Sequence, residues 1–263
     1  MPSSRSASLI SRNSEVGPRL RHPAASLAYK LALAPLLVAQ AIVTRRRAPL
    51  LPEAAGPREG RVGESGGSPL RVLIAGDSSA AGVGVANQDN AVAGHLVRAL
   101  HRHADRSIVW ALRAKSGLTT RGVHALLVAE PPAPVEVAVV ITGVNDVIDQ
   151  IAPCRAVRHR AALADWLLDK GLARHVAFAP LPPIHRFPLL PEPLRRVLGD
   201  DARRHDRSLA RWAATRRDVS HIEIALDLNG EVMASDGFHP GEPVYRVCGE
   251  ALAAHVARTV GHA

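Results

Sequence analysis

From residue 70 onward, short runs of Val, Ile, Leu and Ala alternate with longer stretches whose apolar residues recur every three or four positions. That alternation constrains the chain more than any other feature. Strands of four to eight residues separated by helices of ten or more build a mainly parallel sheet with helices on both faces. The strand runs are residues 70–75 (LRVLIA), 107–112 (SIVWAL), 135–142 (VEVAVVIT), 175–179 and 221–225. The helical stretches are residues 90–103, 119–128, 157–170, 192–215 and 243–260. The expectation is an α/β chain with a three-layer α/β/α sandwich and a mostly parallel, five-stranded sheet.

The 69 residues before this pattern behave differently. Residues 1–23 are rich in Ser, Arg and Pro without periodicity and read as a disordered basic tail. Residues 24–47 form an apolar/basic helix, and residues 48–69 a Pro/Gly-rich linker that ends at the boundary of the 70–263 domain. The uncharged stretch 31–44 has 14 residues and contains Pro35 and Gln40. A spanning helix needs about 20. Three readings stay open: a helix lying at a membrane surface or docked on the domain, a true anchor, and a cleaved signal. Arg45, Arg46 and Arg47 oppose translocation and favour the cytoplasmic face of a membrane over secretion. A wholly cytoplasmic location is the other reading.

Charge and cysteine content exclude several classes. The chain has 33 Lys and Arg against 24 Asp and Glu, a net +9, but residues 1–64 hold ten of the cations against four Glu. The domain itself is nearly balanced and only 3% of the chain is aromatic, so neither a basic face nor stacking platforms for nucleic acid are expected. Cys154 and Cys248 are the two cysteines, with no CxxC, and no His pair carries metal-site spacing with acidic support. The glycines of residues 76–84 lack the downstream lysine of a phosphate loop. No cofactor and no metal are expected.

In a parallel sheet, functional groups collect beyond the carboxyl ends of the strands. Four polar segments fall there. GDSSAAG (76–82) follows the first strand and presents Ser78 at a turn, ahead of a helix whose N-terminus would face developing negative charge. RAKSGLT (113–119) follows the second, with Gly117 leaving its N–H unobstructed. GVND (143–146) follows the third and offers the Asn145 carboxamide, while DGFHP (236–240) sets Asp236 three residues before His239. Taken alone, Ser78 reads first as a helix cap, and Ser79 is a neighbouring hydroxyl.

These four blocks, in this order, resemble the GDSL/SGNH hydrolase superfamily, whose blocks are GDSxxxG, a lone Gly, GxND and DxxH. The likeness runs from about residue 70 to the C-terminus, with one departure: Ser79 stands where the family's namesake pattern has leucine. The resemblance implies a flavodoxin-like sheet and a Ser-His-Asp acyl-enzyme mechanism on carboxylic esters. Ser78 would be the nucleophile, His239 the general base and acid, and Asp236 its orienting partner. The backbone N–H groups of Ser78 and Gly117 and the side-chain amide of Asn145 would hold the oxyanion. Gly76, Asp77, Gly82, Gly143 and Asp146 take supporting roles. His185 lies in the loop 180–193, which carries six prolines, and is a candidate for substrate contact.

That stiff loop points to short or medium acyl chains. A small-molecule or lipid ester is the expected substrate, with membrane-surface contact through residues 24–47, no nucleic acid, and a monomeric state. Two alternatives remain: an O-acetyl esterase acting on cell-envelope glycans, and a catalytically silent binding or scaffold protein of the same fold.

Overall fold

The computed structural model describes residues 23–64, 67–226, 228 and 231–261. The disordered tail expected for residues 1–23 lies, except for Pro23, outside the described residues.

The centre of the molecule is β2 (Leu70–Gly76), which pairs in parallel with β3 (Ile108–Ala114) on one side and β4 (Val135–Ile141) on the other. Next to β4 come β5 (Ala173–Phe178) and β6 (Val219–His221), both parallel. Side chains alternate across the sheet with period two. Leu73 and Ala75 therefore face one apolar layer, together with Val123, Leu127 and Leu163. Val72 and Ile74 face the other, with Leu96, Leu100 and Leu252. The first layer is closed by α4 (Thr120–Ala129), the short α5 (Val144–Ile148), α6 (Pro153–Asp169) and α7 (Leu194–Ala213). The second is closed by α3 (Val92–Ala104) and α8 (Glu242–Gly261). Coverage on both faces explains why β2 and β4 are almost continuously apolar.

The sheet has six strands, not the five of the flavodoxin-like arrangement expected, in the order β1-β3-β2-β4-β5-β6. The additional strand, β1 (Glu59–Val62), comes from the segment read as a linker and pairs antiparallel with β3 at the sheet edge. Its sequence, EGRV, is largely exposed. It joins the sheet through backbone hydrogen bonds, with no apolar face to betray it. The last strand also sits earlier than the expected 221–225. The chain leaves the sheet after His221, and Ile224, Leu226 and Leu228 turn to line a cavity instead.

The apolar/basic segment is two helices, α1 (Pro23–Ala32) and α2 (Ala34–Arg47), with Pro35 in the first turn of α2, where its missing N–H costs nothing. The pair docks on the domain through specific polar contacts. The Gln40 amide donates to Glu192 O at 2.7 Å and accepts from Leu194 N at 3.2 Å, satisfying an N–H at the start of α7. Lys30 Nζ lies 2.5 Å from Asp201 Oδ2. Leu37 packs against the core, whereas Leu36, Val38, Ile42 and Val43 are exposed beside Arg45–Arg47. Among the described residues no helix is long and apolar enough to cross a membrane.

Candidate active site

The register levels the ends of the three central strands. Gly76 stands opposite Ala114 of β3 and Ile141 of β4, so the segments that follow leave one edge of the sheet side by side. Gly76 has no room for a side chain, because a Cβ there would meet Ile141 O at 2.1 Å. Asp77 N then donates to the same carbonyl at 3.1 Å.

Ser78 follows in a run of turns, closed by Ala81 N donating to Asp77 O at 2.9 Å and Val83 N to Ser78 O at 3.0 Å. The helix expected from about residue 90 follows as α3 from Val92, with Ala91 and not Ser78 at its N-cap. The turn is held from behind by Tyr245 of α8, buried, whose hydroxyl donates to Val83 O at 2.6 Å. Gly82 (φ +79°) packs against Ala54 and Ala91, where a Cβ would come within 2.7 Å of each. Sequence reasoning missed Tyr245, since nothing in a lone tyrosine announces a partner 162 residues away.

The segment 233–240 brings His239 to this turn. Ala234 N donates to His239 O at 2.9 Å, and Gly237 takes φ +64° between them. His239 Nε2 lies 3.0 Å from Ser78 Oγ, and its Nδ1 lies 2.5 Å from Asp236 Oδ2. The other oxygen, Asp236 Oδ1, accepts from the backbone N–H groups of Phe238 and His239, each at 2.9 Å. Burial works to raise the Asp236 carboxyl, but the hydrogen bonds from His239 and Phe238 outweigh it and hold the group below its usual range.

The loops after β3 and β4 are tied together. Gly117 is exposed at φ +79°, with open space where a Cβ would stand. Asn145 Nδ2 donates to Leu118 O at 3.0 Å, joining the two loops next to Gly117. A carboxamide has two N–H donors, and this contact uses one of them. Gly143 (φ +129°) begins α5, and a Cβ on it would press within 2.3 Å of Arg160 Nη2. Asp146 accepts from Thr120 N at 3.0 Å and Thr120 Oγ1 at 2.5 Å and stands 3.5 Å from Arg160, both side chains being fully buried. It therefore anchors the loops and is withdrawn from the cavity. Arg160 and Thr120 were invisible in the sequence because their partner is remote.

Asp77, beside the serine, is 2% exposed. Its Oδ1 accepts from Ser79 N at 3.0 Å, and its Oδ2 meets no hydrogen-bond donor among the described residues. Burial pushes its pKa up to about 7, against the pull of Ser79 N–H and the nearby His239.

Next to Ser78 and His239 is a cavity walled by apolar side chains, among them Ile141, Pro180, Pro182, Phe187, Leu226 and Phe238. Phe187 and Phe238 meet edge to face at 5.1 Å. His185 lies elsewhere. It packs against Gly199 of α7, its Nδ1 is 3.0 Å from Arg203 Nη1, and burial with the neighbouring arginines lowers its pKa to about 4. Among the described residues no group of three or more His, Cys, Asp and Glu is placed to hold a metal ion.

The model of the GDSL-like lipase/acylhydrolase family matches residues 74–247, about two-thirds of the chain. The chain belongs to the GDSL-like lipase/acylhydrolase family. No curated protein matches it. This GDSL-type hydrolase is similar to the solved structure of a lipase from a goat rumen metagenome, with 17% identity and a TM-score of 0.59 over 70% of this chain and 96% of that one. It is similar to the psychrotrophic esterase EstA from Pseudoalteromonas sp. at 18% identity and a TM-score of 0.53, over 73% and 98% of the two chains. A lipase/acylhydrolase from Enterococcus faecalis gives 16% identity and a TM-score of 0.53, over 72% and 96%. At these identities the likeness is one of fold.

Proposed function

We propose that this GDSL-family hydrolase is a serine esterase that cleaves carboxylic esters through an acyl-enzyme on Ser78. The observation that carries the reading is the 3.0 Å contact of Ser78 Oγ with His239 Nε2, in series with the His239–Asp236 pair. A serine hydroxyl becomes an effective nucleophile when a base within hydrogen-bond reach takes its proton.

His239 Nε2 removes the hydroxyl proton as Ser78 Oγ attacks the acyl carbon. The carbonyl oxygen becomes an oxyanion, received by the N–H groups of Ser78 and Gly117 and the free Nδ2–H of Asn145. Collapse breaks the ester C–O bond, and the alcohol leaves with the proton from His239. Water then gives a proton to the same nitrogen, attacks the acyl carbon and releases the acid, and the proton returns to Ser78. Asp236 keeps Nδ1–H pointing at itself and stabilises the imidazolium in both halves.

The apolar cavity is the acyl site in this reading. Its wall of Pro180 and Pro182, braced by the Phe187–Phe238 contact, supports acetyl to hexanoyl chains over longer ones. The exposed apolar face of α2 and the adjoining Arg45–Arg47 support a second element of the proposal, contact with an anionic membrane surface.

The test is hydrolysis of p-nitrophenyl esters from acetyl to dodecanoyl by the wild type and by Ser78→Ala. The expected result is turnover that peaks at or below hexanoyl and falls at least about a thousandfold in the variant. A peak at dodecanoyl sinks the chain-length assignment. Absence of turnover together with absence of Ser78 labelling by a fluorophosphonate sinks the esterase and leaves a binding protein.

A further inference from the structure

The segment that precedes the family-matched residues 74–247 reaches the site. Glu53 Oε1 accepts from the backbone N–H of Ser116 at 2.7 Å, one residue before Gly117. Its other oxygen lies 2.5 Å from Arg58 Nη2, and Arg58 Nη1 donates to Ala114 O at 2.6 Å. Arg58 is fixed in turn because its own carbonyl accepts from Leu112 N at 2.6 Å, just before β1 runs along the edge of β3. The neighbouring residues grip the nucleophile turn as well. Ala54 N donates to Ala81 O at 3.2 Å, and Gln88 Nε2, buried, bridges Ala54 O and Ala81 O at 3.1 and 3.0 Å. Ala54 itself fills the space beside Gly82.

We infer that Glu53, held by Arg58, is a positioning residue for the oxyanion hole, fixing the exposed loop that carries Gly117 in register with the turn that carries Ser78. The inference rests on the esterase reading. Gly117 has φ +79° and no side chain to pack, so nothing of its own holds the N–H in place. A donor stabilises a developing oxyanion only when it is already aimed at it. A carboxylate that clamps the preceding amide supplies that aim. Burial opposes ionisation of Glu53, but the Ser116 N–H and the Arg58 charge outweigh it and keep the carboxyl below its usual range. The clamp is therefore charged at neutral pH. It also gives the N-terminal segment a role that a flexible linker does not have.

Two readouts on the full-length chain test this: amide hydrogen exchange of residues 112–120, and kcat and KM on p-nitrophenyl acetate. The proteins are wild type, Ser78→Ala, Glu53→Ala and Glu53→Gln. In Glu53→Ala the expected result is exchange of the Ser116 and Gly117 amides at least tenfold faster, with kcat about tenfold lower and KM within twofold. Glu53→Gln keeps an acceptor oxygen for Ser116 N and is expected to recover most of kcat. Unchanged exchange overturns the clamp whatever the activity. Faster exchange with unaltered kcat overturns the positioning role. A wild type whose turnover does not depend on Ser78 fails the esterase reading instead, and takes the role of Glu53 in it down as well, while exchange still decides the clamp.

Discussion

Asp236 holds His239 at two points, with Oδ2 2.5 Å from the ring Nδ1 and Oδ1 accepting the backbone N–H of the same residue at 2.9 Å. The first contact sets the proton on Nδ1, and the second sets the loop. Asp236→Asn separates them. The carboxamide oxygen can still accept the Phe238 and His239 amides, but an NH₂ then faces Nδ1 and drives the ring proton to Nε2, where it blocks acceptance from Ser78. The expected loss is about 10⁴ in kcat with the fold intact, read by ester hydrolysis alongside circular dichroism. A loss below tenfold would remove Asp236 from the mechanism.

In the proposed mechanism Asn145 differs from Ser78, His239 and Asp236 in that it is called on only once negative charge has formed. One Nδ2 hydrogen is committed to Leu118 O at 3.0 Å. Asn145→Ala removes the remaining donor, and the cost of losing an oxyanion donor is about 10²–10³ in kcat. KM is expected to stay within a few-fold, because the ground-state carbonyl draws little on that donor. A change confined to KM would place Asn145 in binding.

How much of this was legible in the sequence depended on how far each residue sits from its partner. Ser78 and Asn145 stand in short blocks at strand ends, where the parallel α/β pattern already directs attention, and Asp236 and His239 share one short block in the loop between β6 and α8. β1 was missed because EGRV pairs through its backbone and shows no periodicity. Residues 221–225 read as a strand, yet the chain leaves the sheet after His221 and Ile224 serves the cavity wall. The supports were unreadable for a different reason. Tyr245 meets Val83, Arg160 meets Asp146 and Glu53 meets Ser116 only after the chain has folded.

Asp77 makes stability fall as the solution becomes more alkaline. Its folded pKa is about 7, raised by burial from 3.8. Between these values the unfolded chain has released the proton and the folded protein still holds it, so stability declines with rising pH across that window and levels off above it. Asp77→Asn keeps an oxygen for Ser79 N and has no proton to lose. Its melting temperature is expected to match the wild type near pH 4 and to exceed it by a few degrees at pH 8. A gap that does not vary with pH would mean that Asp77 does not titrate in this window.

The outer face of α2 carries the prediction about location. Leu36, Val38, Ile42 and Val43 are exposed, and Arg45–Arg47 follow at the C-terminal end. Apolar side chains gain by leaving water, and an arginine near an anionic leaflet adds about 1 kcal/mol. Deleting residues 1–47 outright would also strip Gln40 from the start of α7 and Lys30 from Asp201. Surface variants are therefore the cleaner probe. Full-length protein is expected to sediment with phosphatidylserine-containing vesicles and much less with neutral ones. Replacing Val38 and Ile42 by Ser, or Arg45–Arg47 by Ala, should release it with ester hydrolysis unchanged. Added salt should weaken the arginine contribution, because screening shortens the reach of exposed charges to about 10 Å at 0.1 M. Equal sedimentation of wild type and both variants would show that this face meets no membrane.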